Sequence, residues 1–151
     1  MKRRQFITLL GGAAVTWPLA ARAQQARSTT RVGVLWPGDG PPVSPRMESF
    51  RQGLGALGFV EGQNIAIELR YSQRGPQHLP ELAAELISLK VDVILAPGDL
   101  APKIAEQATK TIPIVAGGDD ILGAGLVASL SRPGGNITGL TILPRSSARK
   151  D

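Results

Sequence analysis

From residue 31 onward, short β-branched runs alternate with stretches whose apolar residues recur at helical spacing, and this alternation constrains the fold most. Arg31-Val32-Gly33-Val34-Leu35 is short and apolar and runs into the breakers Trp36-Pro37-Gly38-Asp39-Gly40-Pro41-Pro42, as a buried strand entering a loop would. Ser44-Pro45 then offers a capping hydroxyl followed by proline at a first helical position. Met47, Phe50, Leu54 and Leu57 fall on one helical face, and Gly58 is placed to end the helix. A second strand is predicted over Asn64 to Tyr71, with Ile65, Ile67 and Leu69 on its apolar side. Leu79, Leu82, Ala83, Leu86 and Ile87 repeat at helical spacing in the stretch that Pro80 opens.

The pattern continues with a third strand at Val91–Leu95, stopped by Ala96-Pro97-Gly98. Asp99 is placed to cap a helix that buries Ala101, Ile104, Ala105 and Ala108. Ile112–Val115 reads as a fourth strand, Ala124 to Leu130 as a short helix, Arg132–Asn136 as a turn, and Ile137 to Leu143 as a fifth strand. Strand–helix alternation with connections of this length implies parallel βαβ units with right-handed crossovers. The expected fold class is α/β: a doubly wound, mostly parallel, Rossmann-like sheet.

The first two dozen residues stand outside that argument. Lys2, Arg3 and Arg4 form a positive region, Phe6 to Ala20 is mostly apolar, and Ala21-Arg22-Ala23 supplies a small-residue cleavage pattern. Residues 1–23 are therefore expected to be a cleavable signal peptide, cut before Gln24, with Arg3 and Arg4 as a twin-arginine address and Ala21 and Ala23 at the cleavage site. A spanning helix needs about 20 largely apolar residues. This run is shorter and contains Gly11, Gly12, Thr16 and Pro18, so no stable membrane anchor is expected after cleavage. The expected localisation is the periplasm, with residues 24–143 forming one α/β lobe and 144–151 a basic, disordered tail.

Charge and cysteine content narrow the function classes. Four of the 17 Lys and Arg residues lie in the leader, which leaves 13 against 12 Asp and Glu in the rest. The basic surplus is thus concentrated in the leader and in Arg145, Arg149 and Lys150 of the tail, and nucleic-acid binding is not expected. The absence of cysteine removes disulfides, thiol nucleophiles and cysteine metal sites.

In doubly wound sheets, ligands bind at the carboxyl ends of the strands, where the strand order reverses. That rule selects the loops after the first, third and fourth strands. Their candidate ligand-binding residues are Trp36, Gly38, Asp39, Gly98, Asp99, Gly118 and Asp119. The glycines let backbone approach a ligand, Trp36 can stack on an apolar or aromatic group, and an aspartate can take an amino group. Asp120 shares the last loop. Alternatively, Asp99 only caps its helix, Trp36 only covers the sheet edge, and the glycines only make turns. Catalysis finds little support, because His78 is the sole histidine and precedes the Pro80 helix, where a surface polar residue is ordinary. No nucleophile elbow, phosphate-binding loop or zinc-protease motif is present. Pro41-Pro42 after Gly38-Asp39-Gly40 breaks a dinucleotide fingerprint, so no cofactor, no metal and no catalytic residue is expected.

Several segments together are similar to one known family. The leader, from Met1-Lys2-Arg3-Arg4-Gln5-Phe6 to Ala21-Arg22-Ala23-Gln24-Gln25, resembles those of ABC-transporter substrate-binding proteins. So do Phe50-Arg51-Gln52-Gly53-Leu54, Val60-Glu61-Gly62-Gln63-Asn64-Ile65 and Thr111-Ile112-Pro113-Ile114-Val115. The most specific stretch is Gly125 to Gly139, which contains Ser131-Arg132-Pro133-Gly134-Gly135-Asn136-Ile137-Thr138-Gly139. The resemblance implies a periplasmic binding protein of type I fold, two Rossmann-like lobes closing on a small solute and docking on an ABC permease in the inner membrane. It also implies no catalytic site, and solutes that include aromatic amino acids. The family usually has Gly-Asp-Pro-Val after the fourth strand, whereas here Gly118-Asp119 is followed by Asp120-Ile121, which favours Asp119 over Asp120. Members run to about twice this length, so the chain is expected to be truncated to its N-terminal lobe, with the second lobe absent. The expected function is solute capture for uptake. The alternatives are a single-domain periplasmic α/β enzyme and an inert lobe needing a partner chain.

Overall fold

The computed structural model describes residues 29–38, 45–118, 121–126, 128 and 134–141. The leader, the tail and the candidate residues Asp39, Asp119 and Asp120 lie outside the described residues.

The chain forms β1 (Thr30–Trp36), α1 (Pro45–Ala56), β2 (Ile65–Tyr71), a 3-10 turn (Pro76–His78), α2 (Leu79–Ser88), β3 (Val93–Pro97), α3 (Leu100–Ala108), β4 (Ile114–Gly118) and β5 (Ile137–Thr141). The five strands make one sheet in the order β2-β1-β3-β4-β5. Every pairing is parallel: Val32 pairs with Ile67 and Val93, Ile94 with Ile114, and Ile114 with Ile137. The doubly wound α/β fold is thus the one the alternation predicts.

The period of two along each strand divides the core into two layers. Val32, Val34 and Ile65 pack with Met47 on the α1 side, joined by Phe50, Leu54, Ile67, Leu69, Val93 and Leu95. Leu35, Ile94, Ala96, Ile114, Ala116 and Ile137 pack on the other side with Leu79, Ala83 and Leu86 of α2 and Ala101 and Ala105 of α3. Gly33 faces that second layer, where a Cβ would lie 3.1 Å from Leu86 Cδ2 and 3.3 Å from Val91 Cγ1. The missing side chain lets α2 lie directly on β1.

Helix ends follow the sequence signals closely. Pro45 opens α1, and Gly58, at φ 87°, closes it. Gly58 N–H donates to Gly55 O and Phe59 N–H to Leu54 O, the paired bonds that satisfy the last carbonyls.

Five expectations differ from the structure in detail. Leu57 lies beyond the end of α1 and is 76% exposed rather than buried. Ala108, in the last turn of α3, is exposed. The third strand begins at Val93, after Asp92 bonds across to β1: its N–H donates to Arg31 O and its Oδ2, rather than a strand carbonyl, accepts from Arg31 N–H, both at 2.8 Å. The fourth begins at Ile114, because the Thr109 hydroxyl accepts from the N–H groups of Thr111 and Ile112 and holds that segment as a turn. The short helix expected at 124–130 is not formed where it is described; residues 121–125 are turns, and Gly125 at φ 72° has a left-handed backbone that a helix cannot contain.

Candidate functional site

Three strand ends define the site. In the order β2-β1-β3-β4-β5, the chain moves one way from β1 to β2 and the other way from β1 to β3, so the reversal lies between β1 and β3. In open α/β sheets, the crevice at that point, outside the carboxyl ends of the strands, is where ligands bind.

Trp36 is the last residue of β1 and is half-buried. Gly38 folds back against its indole, where a Cβ would lie 2.8 Å from Trp36 Nε1, too close for any side chain. Gly98 follows β3 in a left-handed conformation, φ 80°, and its N–H donates to Gly117 O at 2.7 Å, tying the end of β3 to the end of β4. A Cβ on Gly98 would lie 3.7 Å from Pro37 Cγ, so the β1 and β3 loops are in van der Waals reach. A Cβ on Gly118 would lie 3.1 Å from Asp99 Oδ1 and 3.6 Å from Gly98 O. The fold therefore brings Trp36, Gly38, Gly98, Asp99 and Gly118 onto one contiguous rim.

Asp99 occupies the N-cap position of α3 but makes no side-chain capping hydrogen bond, which departs from its expected role. Its exposed carboxylate leans instead toward Gly118 and has no hydrogen-bond partner among the described residues. Asp99 thus gives the start of α3 no side-chain cap, and a helix N-terminus carries partial positive charge. The rim thus presents an aromatic face, a carboxylate with no hydrogen-bond partner among the described residues, and the N-terminal end of α3.

Pro37 was not singled out by sequence reasoning, although it joins the β1 and β3 loops. Its place between Trp36 and Gly38 in the selected loop is the signal that could have found it. His78 lies on the 3-10 turn before α2, away from the rim, with Nδ1 3.5 Å from Glu81 Oε2. Among the described residues, no group of three or more His, Asp or Glu could hold a metal ion. No described helix is long and apolar enough to cross a membrane.

Residues 31–147 match the family model for the ABC transporter substrate binding protein. The chain belongs to that family. The family is a transporter's substrate-binding component rather than an enzyme class. One curated relative, a tyrosine-binding protein from Clostridioides difficile (strain R20291), is 30% identical over 115 residues, which is 76% of this chain and 33% of the relative. A conserved domain protein from Vibrio cholerae has a solved structure that superposes with a TM-score of 0.69 at 31% identity, over 76% of this chain and 39% of that one. The ligand-free, open structure of a Clostridium difficile substrate-binding protein with adhesive properties gives a TM-score of 0.67 at 30% identity, over 74% and 38%. An ABC domain from Streptococcus pneumonia, solved in complex with L-Trp, gives 0.67 at 26% identity, over 76% and 39%. The chain thus spans between a third and two fifths of the length of these family relatives.

Proposed function

We propose that this chain is the exported, solute-holding lobe of an ABC uptake transporter's substrate-binding protein, with Trp36, Gly38, Gly98, Asp99 and Gly118 lining one wall of the solute site. The observation that supports this most directly is the convergence of the β1, β3 and β4 ends where the strand order reverses. Asp39 and Asp119 fall in the same loops of the sequence and belong to the same proposal.

The solute we favour is an amino acid with an aromatic side chain. The indole of Trp36 offers a ring face. The carboxylate of Asp99, unpartnered among the described residues, offers a charge-assisted hydrogen bond to an ammonium. The amides at the start of α3 suit the solute's carboxylate. Tyrosine and L-Trp, the ligands of two relatives, have these three groups. The role is capture rather than turnover, because the rim pairs no nucleophile with a base among its described residues. Export through the Arg3-Arg4 leader, cleavage after Ala23 and release into the periplasm complete the proposal, with an inner-membrane permease as the partner that receives the solute.

The test is a thermal scan and a calorimetric titration of the purified chain against L-Trp, L-Tyr, L-Phe and small carboxylates. The expected result is a saturable rise in Tm with the aromatic amino acids, and loss of that rise in Trp36→Ala. Binding of any solute that is indifferent to both Trp36→Ala and Asp99→Asn would overturn the assignment of this rim, and a flat response to every solute would overturn the capture role.

A further inference from the structure

A second recess, of about 420 Å³, opens at the carboxyl end of β2 against α2, beside the rim described above. Its size is in the range that holds small molecules. Leu69 and Leu82 supply apolar lining, and the ring of Tyr71, whose hydroxyl accepts from Gln73 Nε2 at 3.3 Å, adds an aromatic surface.

The charges around this recess are not all committed. Arg70 is engaged: its Nε donates to Glu85 Oε2 at 2.7 Å, its Nη1 donates to Leu69 O at 2.9 Å, and Glu68 lies 3.9 Å away. Arg74 is different. Its carbonyl accepts from Gln77 Nε2, but its guanidinium has no hydrogen-bond or ion-pair partner among the described residues. Glu81, on the first turn of α2, has His78 Nδ1, at 3.5 Å, as its one ion-pair or hydrogen-bond partner among the described residues, and that contact is an ion pair only when the imidazole is protonated. Among the described residues, the recess thus offers one unpaired cation and one loosely held anion on a largely polar lining, with Leu69, Leu82 and the Tyr71 ring as its apolar part.

We infer that this recess is a second small-molecule site, for an aliphatic zwitterion whose carboxylate meets Arg74 and whose ammonium meets Glu81. A simple anion would face Glu81 and Glu85, and a simple cation would face Arg74 and Arg70, so only a molecule bearing both charges satisfies both sides. The site adjoins the Trp36 rim, since Tyr71 pairs with Trp36 across β1 and β2, but its lining includes none of the rim residues.

The chain contains one histidine and one tyrosine, and both line this recess, so their ring resonances in an NMR titration report its occupancy without ambiguity. L-leucine is the probe, against 4-methylpentanoate, which lacks its ammonium, and isoamylamine, which lacks its carboxylate. The expected result is saturable movement of the His78 and Tyr71 ring signals with L-leucine. Binding should weaken by about tenfold or more for either analogue and in Arg74→Gln or Glu81→Gln, since charge-assisted hydrogen bonds are among the stronger ones. Both residues are exposed, so neither substitution threatens folding. Trp36→Ala should leave the L-leucine affinity read from the His78 signal unchanged, which separates this site from the proposed solute rim beside it. Shifts that rise linearly without saturation, an analogue that binds as well as L-leucine, or loss of the response in Trp36→Ala would each overturn the inference.

Discussion

Replacing Gly33 with alanine adds one methyl group where β1 meets α2, the contact that holds the site-bearing end of β1 in place. An added Cβ would lie 3.1 and 3.2 Å from the two Cδ atoms of Leu86 and 3.3 Å from Val91 Cγ1. Carbon atoms are comfortable at about 3.5–4.0 Å, so each neighbour has to retreat by a few tenths of an ångström. Leu86 is fully buried and cannot swing into water, so the helix itself has to move or the rotamer has to strain. Overpacking of this kind costs about 1–3 kcal/mol. Leu86→Ala alone should cost about 2–5 kcal/mol, as a lost side chain plus an incompletely collapsed cavity.

The two effects oppose each other in the same space. In the double variant, the new methyl group occupies part of the room that Leu86 vacates, so the pair should be less destabilised than the two single losses together, by about 1 kcal/mol or more. Urea unfolding of the four proteins, with a common slope checked first, measures this coupling. Additivity to within about 0.5 kcal/mol would refute the claim that Gly33 exists to seat Leu86.

Other changes probe other joints. Gly98→Ala forces a side chain into a left-handed backbone at φ 80° and should lose about 1–2 kcal/mol, read from the urea midpoint. Asn136→Ala removes the side chain whose Nδ2 donates to Thr109 O at 3.0 Å and Ile112 O at 2.9 Å, and should cost about 1–3 kcal/mol by the same assay. Trp36→Ala should weaken an aromatic amino acid by about tenfold in a calorimetric titration while moving the unfolding midpoint little, since the residue is half-buried at the sheet edge. Expression of the whole chain with its leader should yield an exported product whose intact mass begins at Gln24, and Arg3→Lys with Arg4→Lys should leave the uncut precursor inside the cell.

Much of the fold was legible because the two layers of the core impose two different periods. Val32, Val34 and Ile65 alternate as strand residues, while Leu79, Ala83 and Leu86 recur at helical spacing, and each set is buried where its period places it. The errors fall where a side chain competes with the backbone ladder. Val91 and Ile112 are as β-branched as their neighbours, yet the Asp92 carboxylate takes the N–H of Arg31 across on β1, the Thr109 hydroxyl takes the N–H groups of Thr111 and Ile112 locally, and each strand begins two residues late. The candidate rim was legible as a set of loops but not as a contact. That Pro37 approaches Gly98, or that Asp99 turns toward Gly118 rather than capping α3, depends on the twist between neighbouring strands. The β2 recess was invisible for a related reason, since Arg74 and Glu81 gain meaning only when α2 is laid beside the end of β2.

The segments that carry the family resemblance lie mostly at the other end of the sheet from the proposed solute wall. In Val60–Ile65, Val60 N–H donates to Asn64 Oδ1 at 2.7 Å and Asn64 Nδ2 donates to Gly58 O at 2.9 Å, which locks the entry to β2. In the Gly134–Gly139 stretch, Asn136 holds two carbonyls of the turn before β4, and Gly139 lies so close to β4 that a Cβ would fall 2.0 Å from Ala116 O. These residues fix how strands begin, because an unpaired buried carbonyl or a clash against a neighbouring strand would disturb the whole sheet. The opposite edge is under a different constraint. There, Trp36 is half-buried and Asp99 exposed at the strand ends, so either side chain can change while the strand pairing stays intact. If the proposed wall holds the solute, solute choice would lie at the opposite strand ends from those that the Asn64 and Asn136 bonds hold. Substitutions at Asn64 or Asn136 should register as lost stability, and substitutions at Trp36 or Asp99 as altered binding.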